Sequence, residues 1–456
     1  MIASDKIDWF WQSLRNVAGK EALWVEGRAY SYGDLLEEVS RWQGELEAKG
    51  LTRGSRVAVI GEYSPSSIAL FIALIYREAI IVPLADDDAS VIEGRLKLVG
   101  VQAVADFRQG SGICLIQDAV LTPYRLIDEC SREGTAGIVM FTSGSTGKSK
   151  AVLYRADNLI GKFQKPGKKA HRTLLFLKFD HIGGINTLFA ILSQGGTIVV
   201  SRSRQAEQIC QWIEQARVSL LPTTPSFLTM LVMSKFYEVY DLSSLKVITY
   251  GTEVMPQSTL LAIARLFPQT KLKQTYGLTE LGIMATHSKS NESKWVKLGG
   301  DGVAWKVVSG ILWIRTETPM LGYLNAPSPF DADGWYNTED QVESDGEYLK
   351  FLGRRSEIIN VGGEKVYPQE VEDVLLEMPN VAEVLIRGVS NPVTGQTVSA
   401  EVFLREPEDL REFRRRLRNF CQDKLARYKI PTQVRLSEKP FTGNRLKKYR
   451  MEEKAS

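Results

Sequence analysis

The stretch Gly137-Ile-Val-Met-Phe-Thr-Ser-Gly-Ser-Thr-Gly-Lys-Ser-Lys150 passes from an apolar run directly into hydroxyl and glycine residues. This pattern is typical of a strand that ends in a loop rich in backbone N–H donors. Glycines let the backbone approach an anion, and Lys148 and Lys150 add positive charge. We therefore predict a phosphate-binding loop over residues 142–150. It is not the Walker loop GxxxxGK[ST], because Thr142 stands where that motif needs glycine.

Apolar, β-branched segments alternate with amphipathic segments over the first 290 residues. Gly196-Thr-Ile-Val-Val200 and Val247-Ile-Thr-Tyr250 have the composition of buried strands, whereas Tyr32–Lys49 and Gln205–Ala216 have helical periodicity. Such alternation predicts an α/β fold with largely parallel sheets. A serine- and glycine-rich loop by itself is more often a linker, so this context is what favours the phosphate loop.

The pattern changes after about residue 295. Gly310–Arg315 and Glu347–Gly353 are short strand-like segments near turn signals, which predicts a small antiparallel sheet or barrel. The polar stretch Gly353–Glu357 then precedes a new α/β pattern, with helices predicted at Val371–Met378 and Leu410–Ala426. We therefore predict two domains, residues 1–353 and residues 354–456, that border a cleft able to open and close.

Composition excludes several classes of protein. The chain has 44% hydrophobic and 24% charged residues, as soluble globular proteins do. Its longest apolar run, Ile68–Tyr76, is far too short to span a membrane. No secretory signal is visible at the N-terminus, and the four cysteines show no CxxC spacing, so we expect free thiols and a cytoplasmic protein. The three histidines lie far apart, which argues against a His-based metal cluster.

Positive charge is concentrated near the C-terminus. Residues 405–456 hold 16 Lys and Arg against 8 Asp and Glu, a local charge of +8 in a chain of net charge +3. Such a segment could bind an acidic protein, nucleic acid or a phosphorylated cofactor. The alternative is the solvated face of a helix whose apolar side is Leu410, Phe413, Leu417 and Phe420. Basic and aromatic residues do not interleave, so nucleic acid is not expected as a partner.

Further motifs follow the predicted phosphate loop in a characteristic order. They are Tyr250-Gly-Thr-Glu253, Tyr276-Gly-Leu-Thr-Glu280, Gly334-Trp-Tyr-Asn-Thr-Glu-Asp340, Gly353-Arg354 and Gly362-Gly-Glu-Lys-Val-Tyr-Pro-Gln-Glu-Val-Glu372. Together they closely resemble the adenylate-forming superfamily of acyl-CoA synthetases, luciferases and stand-alone adenylation domains. The resemblance covers nearly the whole chain. It implies a large N-terminal domain of stacked, mostly parallel sheets with a small β-barrel-like part, and a small mobile α+β lobe at the C-terminus.

The same resemblance implies ATP, Mg²⁺ and coenzyme A as cofactors. Glu280 would coordinate the magnesium ion, Thr279 would bond the α-phosphate, Asp340 would accept the ribose hydroxyls, and Gly362 and Gly363 would border the pantetheine tunnel. The full set implied to contact the nucleotide is Thr142, Ser143, Gly144, Ser145, Thr146, Gly147, Lys148, Gly251, Thr252, Glu253, Gln274, Thr275, Tyr276, Gly277, Asp340 and Arg354.

The chain departs from the family pattern in two places. Ser149 and Ala151 replace the usual proline and glycine of the phosphate loop, and phosphate binding should survive these small changes. The C-terminal lysine that usually reaches the adenylation site is also altered. One alignment puts Arg445 in its place, and another makes Lys447 the nearest amine. Arginine keeps the charge of lysine but not its shape.

The acid-binding wall is expected around Phe179-Asp-His-Ile-Gly-Gly184 and Thr223. His181 resembles the histidine of acyl- and aryl-CoA ligases, whereas Asp180 resembles the aspartate that pairs with an ammonium group in amino-acid-activating members. Asp180 could equally be a capped turn residue, and His181 a core residue. Gly184, next to Gly183, would leave space for a planar or elongated acyl group.

We accordingly predict an ATP-dependent, AMP-forming acid–thiol ligase that acts on a small carboxylic acid and most simply uses CoA. One alternative is a stand-alone adenylation enzyme that loads an amino or aryl acid onto the phosphopantetheine of a carrier protein. A second alternative is a nucleotide-binding protein impaired in catalysis by its altered C-terminal lysine motif.

Overall fold

The computed structural model describes residues 5–85, 88–110, 112–143, 149–165, 170–201, 203–300 and 302–441. Two of its helices illustrate why these sequences fold locally as they do. Ser31 caps α2, and Ser64 with a following proline begins α3. The helices in chain order are α1 Asp8–Asn16, α2 Tyr32–Ala48, α3 Pro65–Tyr76, α4 Ala89–Val99, α5 Arg125–Arg132, α6 Ala156–Gly161, α7 Ile182–Ser193, α8 Ala206–Ala216, α9 Pro225–Ser234, α10 Gln257–Leu266, α11 Pro368–Leu376 and α12 Leu410–Gln422.

The strands are mostly short and rich in β-branched residues. Those before residue 300 are β1 Glu21–Val25, β2 Arg28–Ser31, β3 Arg56–Ile60, β4 Ile80–Leu84, β5 Ala103–Asp106, β6 Ile113–Leu115, β7 Gly137–Ser143, β8 Ser149–Arg155, β9 Arg172–Leu175, β10 Thr197–Val200, β11 Leu220–Thr223, β12 Val247–Tyr250, β13 Lys271–Gln274, β14 Tyr276–Leu278, β15 Gly282–Ser288 and β16 Val296–Gly299. Those after it are β17 Val303–Val308, β18 Ile311–Thr316, β19 Gly322–Tyr323, β20 Tyr336–Asp345, β21 Tyr348–Arg354, β22 Ile359–Val361, β23 Glu364–Val366, β24 Val381–Asn391, β25 Gly395–Leu404 and β26 Gln433–Ser437.

One sheet is largely parallel, and a second has parallel strand pairs at its centre and antiparallel pairs towards both edges. Sheet 1 has the order β13-β12-β11-β9-β10-β1-β2, and sheet 2 has the order β19-β8-β7-β4-β3-β5-β6. Helices α1, α2, α3 and α7 share one hydrophobic cluster with strands of both sheets. The apolar run Ile68–Tyr76 forms the C-terminal part of α3, and most of its side chains are buried in this cluster. The prediction of stacked, mostly parallel sheets is thereby confirmed.

The third sheet is antiparallel and has the order β14-β15-β16-β21-β20-β18-β17. Over the described residues it remains an open sheet, so the barrel-like part is not a closed barrel. Its β20–β21 hairpin matters most for the cleft, because Asp340 pairs with Arg354 across these two strands.

The C-terminal lobe has its own core. Its sheet has the order β23-β22-β25-β24, with β26 beside β25. A separate hydrophobic cluster runs from Ile359 to Val434 and includes Phe413 and Leu417 of α12. That pattern agrees with an α+β lobe after residue 353, although the exact boundary between the domains stays a prediction. Helix α12 ends at Gln422, four residues earlier than its sequence indicated.

Among the described residues, no helix combines the length and the apolar character that crossing a bilayer requires.

Candidate active site

Tyr276 and Asp340 lie together at the base of the cleft. The Tyr276 hydroxyl donates a hydrogen bond of 2.6 Å to Oδ2 of Asp340. Burial, followed by the charge of Asp340, holds the pKa of this tyrosine well above its usual range. The hydroxyl therefore stays protonated as a donor. Thr338 Oγ1 accepts a bond of 3.1 Å from the Asp340 N–H and donates to the Leu312 carbonyl oxygen, which fixes the aspartate backbone.

The tyrosine ring stacks on Phe351, with ring centroids 4.5 Å apart and an interplanar angle of 21°. Both rings line a cavity of about 180 Å³ between the large domain and the lobe. The lobe contributes Tyr367, Gln369 and Glu383 to its wall. Flat aromatic faces beside an ionised carboxylate suit a nucleoside, because a base can stack and ribose hydroxyls can donate.

Arg354 joins this cavity to the start of the lobe. Its Nε lies 3.5 Å from Oδ1 of Asp340, while its side chain remains about half exposed (52%). Because Arg354 is the last residue of β21, a change of backbone angle just after it would move the lobe without displacing Asp340.

The adenine-side turn follows β12. A Cβ on Gly251 would lie 2.8 Å from the Thr275 carbonyl oxygen, so this close approach requires glycine. Thr275 in turn donates from its N–H to the Tyr250 carbonyl oxygen at 2.7 Å. Glu253 accepts a bond of 2.5 Å from the Ser226 hydroxyl. Three other residues predicted to contact the nucleotide line the cavity beside Tyr276 and Phe351: Thr252, Gln274 and Gly277.

Glu280 lies in a second, larger cavity of about 1,590 Å³ that also contains Thr142, Thr279 and Thr223. Glu280 is only 8% exposed, and its Oε1 accepts a hydrogen bond of 2.8 Å from the Tyr323 hydroxyl. Burial, and then the charge of Glu280, raises the pKa of Tyr323 above its usual range, so this hydroxyl remains the donor.

The larger cavity, with Glu280 and Thr279 in its wall, fits a magnesium ion bound to the triphosphate of ATP. Among the described residues, no group of three or more His, Cys, Asp or Glu could hold a metal ion. A single oriented carboxylate is nevertheless the donor set expected for Mg²⁺, which typically takes one or two protein carboxylates and completes its shell with phosphate and water. Glu280 is thus suited to a metal that arrives with its nucleotide.

The phosphate loop is described only at its two ends. Thr142 pairs with Lys150 across the β7–β8 hairpin, and both line the larger cavity. The predicted contacts of Gly144, Ser145, Thr146, Gly147 and Lys148, and of the Ser143 side chain, lie outside the described residues.

The predicted acid-binding wall surrounds the start of α7. His181 Nδ1 accepts a hydrogen bond of 3.0 Å from the Gly183 N–H, so in the neutral ring the proton resides on Nε2. Asp180 and His181 line the larger cavity together with Gly183. Gly184 serves packing, since a Cβ there would lie 2.2 Å from the Lys178 carbonyl oxygen and 2.7 Å from the Tyr63 hydroxyl. Gly183 is also crowded, because a Cβ there would lie 2.7 Å from Cδ1 of Leu177.

The lobe residues predicted for thioester formation are not brought into either cavity. Gly362 and Gly363 form the tight β22–β23 turn, with φ values of +60° and +94°, and nothing lies within 4 Å of a Cβ on Gly363. Arg445 and Lys447 lie outside the described residues. The described chain ends at Phe441, whose N–H donates to Glu383 at the cavity wall.

Sequence reasoning missed three residues of the site: Phe351, Thr338 and Tyr323. Thr338 lies within the quoted motif that ends at Asp340, so its position could have been noticed. Phe351 and Tyr323 are distant in sequence from the residues they contact, and no local pattern marks them.

The chain is similar to known proteins along most of its length. The family model described as AMP-binding enzyme matches residues 10–324, and that of the AMP-binding enzyme C-terminal domain matches residues 370–445. An indoleacetate–CoA ligase of Aromatoleum aromaticum is 30% identical over 93% of this chain and 93% of its own length. A 2-succinylbenzoate–CoA ligase of Bacillus licheniformis is 27% identical, with 94% and 95% covered.

Solved structures share the fold. An anthranilate CoA ligase in complex with anthranoyl-AMP superimposes with a TM-score of 0.81 at 19% identity, covering 96% of this chain and 95% of that one. The o-succinylbenzoate CoA synthetase of Bacillus subtilis, in complex with its acyl-adenylate intermediate, gives 0.78 at 22% identity, with 96% of each chain covered.

Proposed function

This chain belongs to the family of AMP-binding enzymes, and from that premise we propose that it joins a carboxylic acid to the thiol of coenzyme A at the expense of ATP. A carboxylate oxygen attacks the α-phosphorus of ATP, which forms an acyl-adenylate and releases pyrophosphate. A thiolate then attacks the acyl carbonyl carbon, and AMP leaves. Similarity to CoA ligases along almost the whole chain supports this activity.

The observation that carries the proposal is the contact of Tyr276 with Asp340, 2.6 Å, beside Arg354 at the joint of the two lobes. In this arrangement Tyr276 and Phe351 would hold the base, and Asp340 would accept from the ribose. Thr279 would bond the α-phosphate. Bound Mg²⁺, held by Glu280, would neutralise phosphate charge, and the remaining task of the protein is alignment.

At the other end of the cleft, Asp180, His181 and Thr223 would contact the acid. We call this region, residues 179–184 and 222–224, the acyl end, and we call Tyr276, Thr338, Asp340 and Phe351 the nucleotide end. The Nε2–H of His181 would supply a donor to an acceptor atom of the acyl group. The turn at Gly362 and Gly363 would border the pantetheine arm after the lobe rotates about residues 354–356.

Two thiols could accept the acyl group: that of CoA and that of a carrier protein's phosphopantetheine. Arg411, Arg415 and Arg418 are exposed along α12, a surface that would suit an acidic carrier protein as well as the phosphates of CoA. Similarity to CoA ligases favours free CoA.

A two-part assay tests the proposal. Pyrophosphate release is measured with ATP, Mg²⁺ and a panel of aryl, arylacetic, aliphatic and amino acids, and the positive reactions are repeated with CoA under mass spectrometry. We expect pyrophosphate release with at least one acid and a matching acyl-CoA. Pyrophosphate release without acyl-CoA would favour carrier loading. No release with any acid would favour the catalytically impaired nucleotide-binding protein.

A further inference from the structure

Residues Met320–Asn325 contact both the strand that leaves the phosphate loop and the carboxylate expected to bind magnesium. We call this segment the brace. It includes the two-residue strand β19, which pairs with β8 at the edge of sheet 2. Nothing in the motif pattern of the sequence assigns it a role.

On one side the brace holds the beginning of β8. The N–H of Leu324 donates to the Ala151 carbonyl oxygen at 2.8 Å. The side chain of Asn325 then makes two bonds of 2.9 Å, accepting through Oδ1 from the Ala151 N–H and donating through Nδ2 to the Ser149 carbonyl oxygen. A single amide side chain thus fixes both the donor and the acceptor side of the backbone at the exit of the phosphate loop.

On the other side the brace holds Glu280 twice. The Met320 N–H donates to the Glu280 backbone carbonyl oxygen at 2.9 Å, and the Tyr323 hydroxyl donates to its Oε1 at 2.8 Å. Tyr323 and Glu280 are 7% and 8% exposed, so both groups lie in a region where a charged hydrogen bond is strong and directional.

A further contact centres on Tyr323. Lys150 Nζ lies 5.0 Å from the centroid of the Tyr323 ring, a cation–π contact that ties the lysine at the loop exit to the same side chain.

We propose that Tyr323 and Asn325 are positioning residues that fix Glu280 relative to the phosphate loop. Glu280 would then hold the metal at the correct distance from the phosphates of ATP. Tyr323 bonds Oε1 of Glu280, and the other carboxylate oxygen would be left for the metal. Asn325 bonds the backbone of Ser149 and Ala151, which ties the end of the phosphate loop to the brace that also holds Glu280. This inference rests on the proposed function only in taking Glu280 as the metal ligand.

The test measures ATP affinity of the full-length protein by calorimetry, once with Mg²⁺ and once with EDTA, and takes the ratio of the two dissociation constants. Tyr323→Phe removes the donor and keeps the ring. We expect Mg-ATP affinity to fall about 10-fold, as loss of a partner to a metal ligand does. Affinity in EDTA and the melting temperature should stay essentially unchanged. An unchanged affinity for Mg-ATP, or equal losses with and without metal, would overturn the assignment of Tyr323.

Tyr154→Phe is the matched control. The Tyr154 hydroxyl is buried close enough to Glu280 for that charge to contribute to its raised pKa, but it does not hydrogen-bond the carboxylate. We expect the ratio to be unchanged in this variant. A loss equal to that of Tyr323→Phe would mean that any hydroxyl near Glu280 has the same effect. That result would contradict a specific role for the hydrogen bond from Tyr323.

Asn325→Ala tests the brace as a unit, because Asn325 contacts Ser149 and Ala151 and not Glu280. We expect the Mg²⁺-to-EDTA ratio to fall about threefold, with a smaller combined loss in the double variant than the product of the single losses. A ratio unaffected by Asn325→Ala would overturn the coupling. These binding measurements need no carboxylic acid substrate. If the protein activated no acid, the proposed function would be contradicted, but the binding measurements would still test the brace.

Discussion

The nucleotide end and the acyl end of the cleft differ in how their buried polar groups are satisfied. At the nucleotide end, Tyr276 bonds Asp340, Asp340 bonds Thr338, and Thr338 bonds a backbone carbonyl oxygen. At the acyl end, the hydroxyl of Thr223 is buried and has no hydrogen-bond partner among the described residues.

This difference follows the chemistry expected at each end. A nucleotide site for a constant cofactor can be organised in advance by protein–protein hydrogen bonds, which lowers the cost of ordering on binding. An unpaired buried hydroxyl is costly unless a ligand completes it. The acyl end therefore has a buried hydroxyl that its substrate would satisfy, and five substitutions probe this comparison.

Glu280→Ala should have the largest effect, because it removes the buried carboxylate that would hold Mg²⁺ between the two ends' ligands. We expect kcat/KM for pyrophosphate release to fall about 10³-fold, within the range for loss of an electrostatic group that acts on the transition state. Glu347→Ala is the control, since Glu347 forms only an exposed ion pair with Lys297. Near-normal activity of Glu280→Ala would contradict the role of Glu280 as the metal ligand.

Gly363→Trp extends the comparison to the lobe. We expect pyrophosphate release to persist while acyl-CoA formation falls about 10²-fold, since a bulky side chain would displace the reacting thiol. Gly346→Trp places the same side chain on another exposed turn glycine with positive φ, and both half-reactions should survive there. Equal loss of both half-reactions in Gly363→Trp, with its fold intact, would exclude a tunnel at this turn.

Gly184→Ala tests whether the acyl end is rigid where it is packed. The new Cβ would clash with the Lys178 carbonyl oxygen and the Tyr63 hydroxyl, and we expect the free energy of unfolding to fall by about 2 kcal/mol. Gly44→Ala, in the middle of α2 with open space around its Cβ, should instead raise it by about 0.5–1 kcal/mol. Denaturant unfolding measures both values, and equal stabilities would contradict the tight contact at Gly184.

Thr223→Val and Thr338→Val compare the two ends directly by the same isosteric change. Thr338 loses two hydrogen bonds, so its variant should lose about 1–2 kcal/mol of stability. Thr223 loses none within the described protein, so its variant should be near neutral in stability while KM for the acid rises several-fold. A destabilised Thr223→Val with unchanged KM would reverse our interpretation of the acyl end.

Local patterns predicted much of this molecule. The apolar run at Gly137–Phe141 is a strand, and residues 368–376 form the helix predicted at Val371–Met378. These segments are specified by periodicity and by residues close in sequence. Asp340 and Tyr276 were likewise expected in one site, because each lies in a recognisable motif.

Other features could not be obtained in this way. Gly184 was expected to leave space for the acyl group, yet the atoms that fill this space belong to Tyr63 and to the backbone of residues 177 and 178. Phe351 contacts Tyr276 only because β21 and β14 belong to the same antiparallel sheet, in which β15 and β16 lie between them. The contacts of Tyr323 and Asn325 arise where β19 joins the edge of β8, about 170 residues earlier in the chain.

The amino-acid sequence by itself determined the order of the strands and helices along the chain and the family to which the chain belongs, because these depend on short-range patterns. Only the tertiary structure decided which side chains complete the site and which glycines are required by packing. Such contacts join residues far apart in sequence, and their distances depend on how whole sheets and helices pack together.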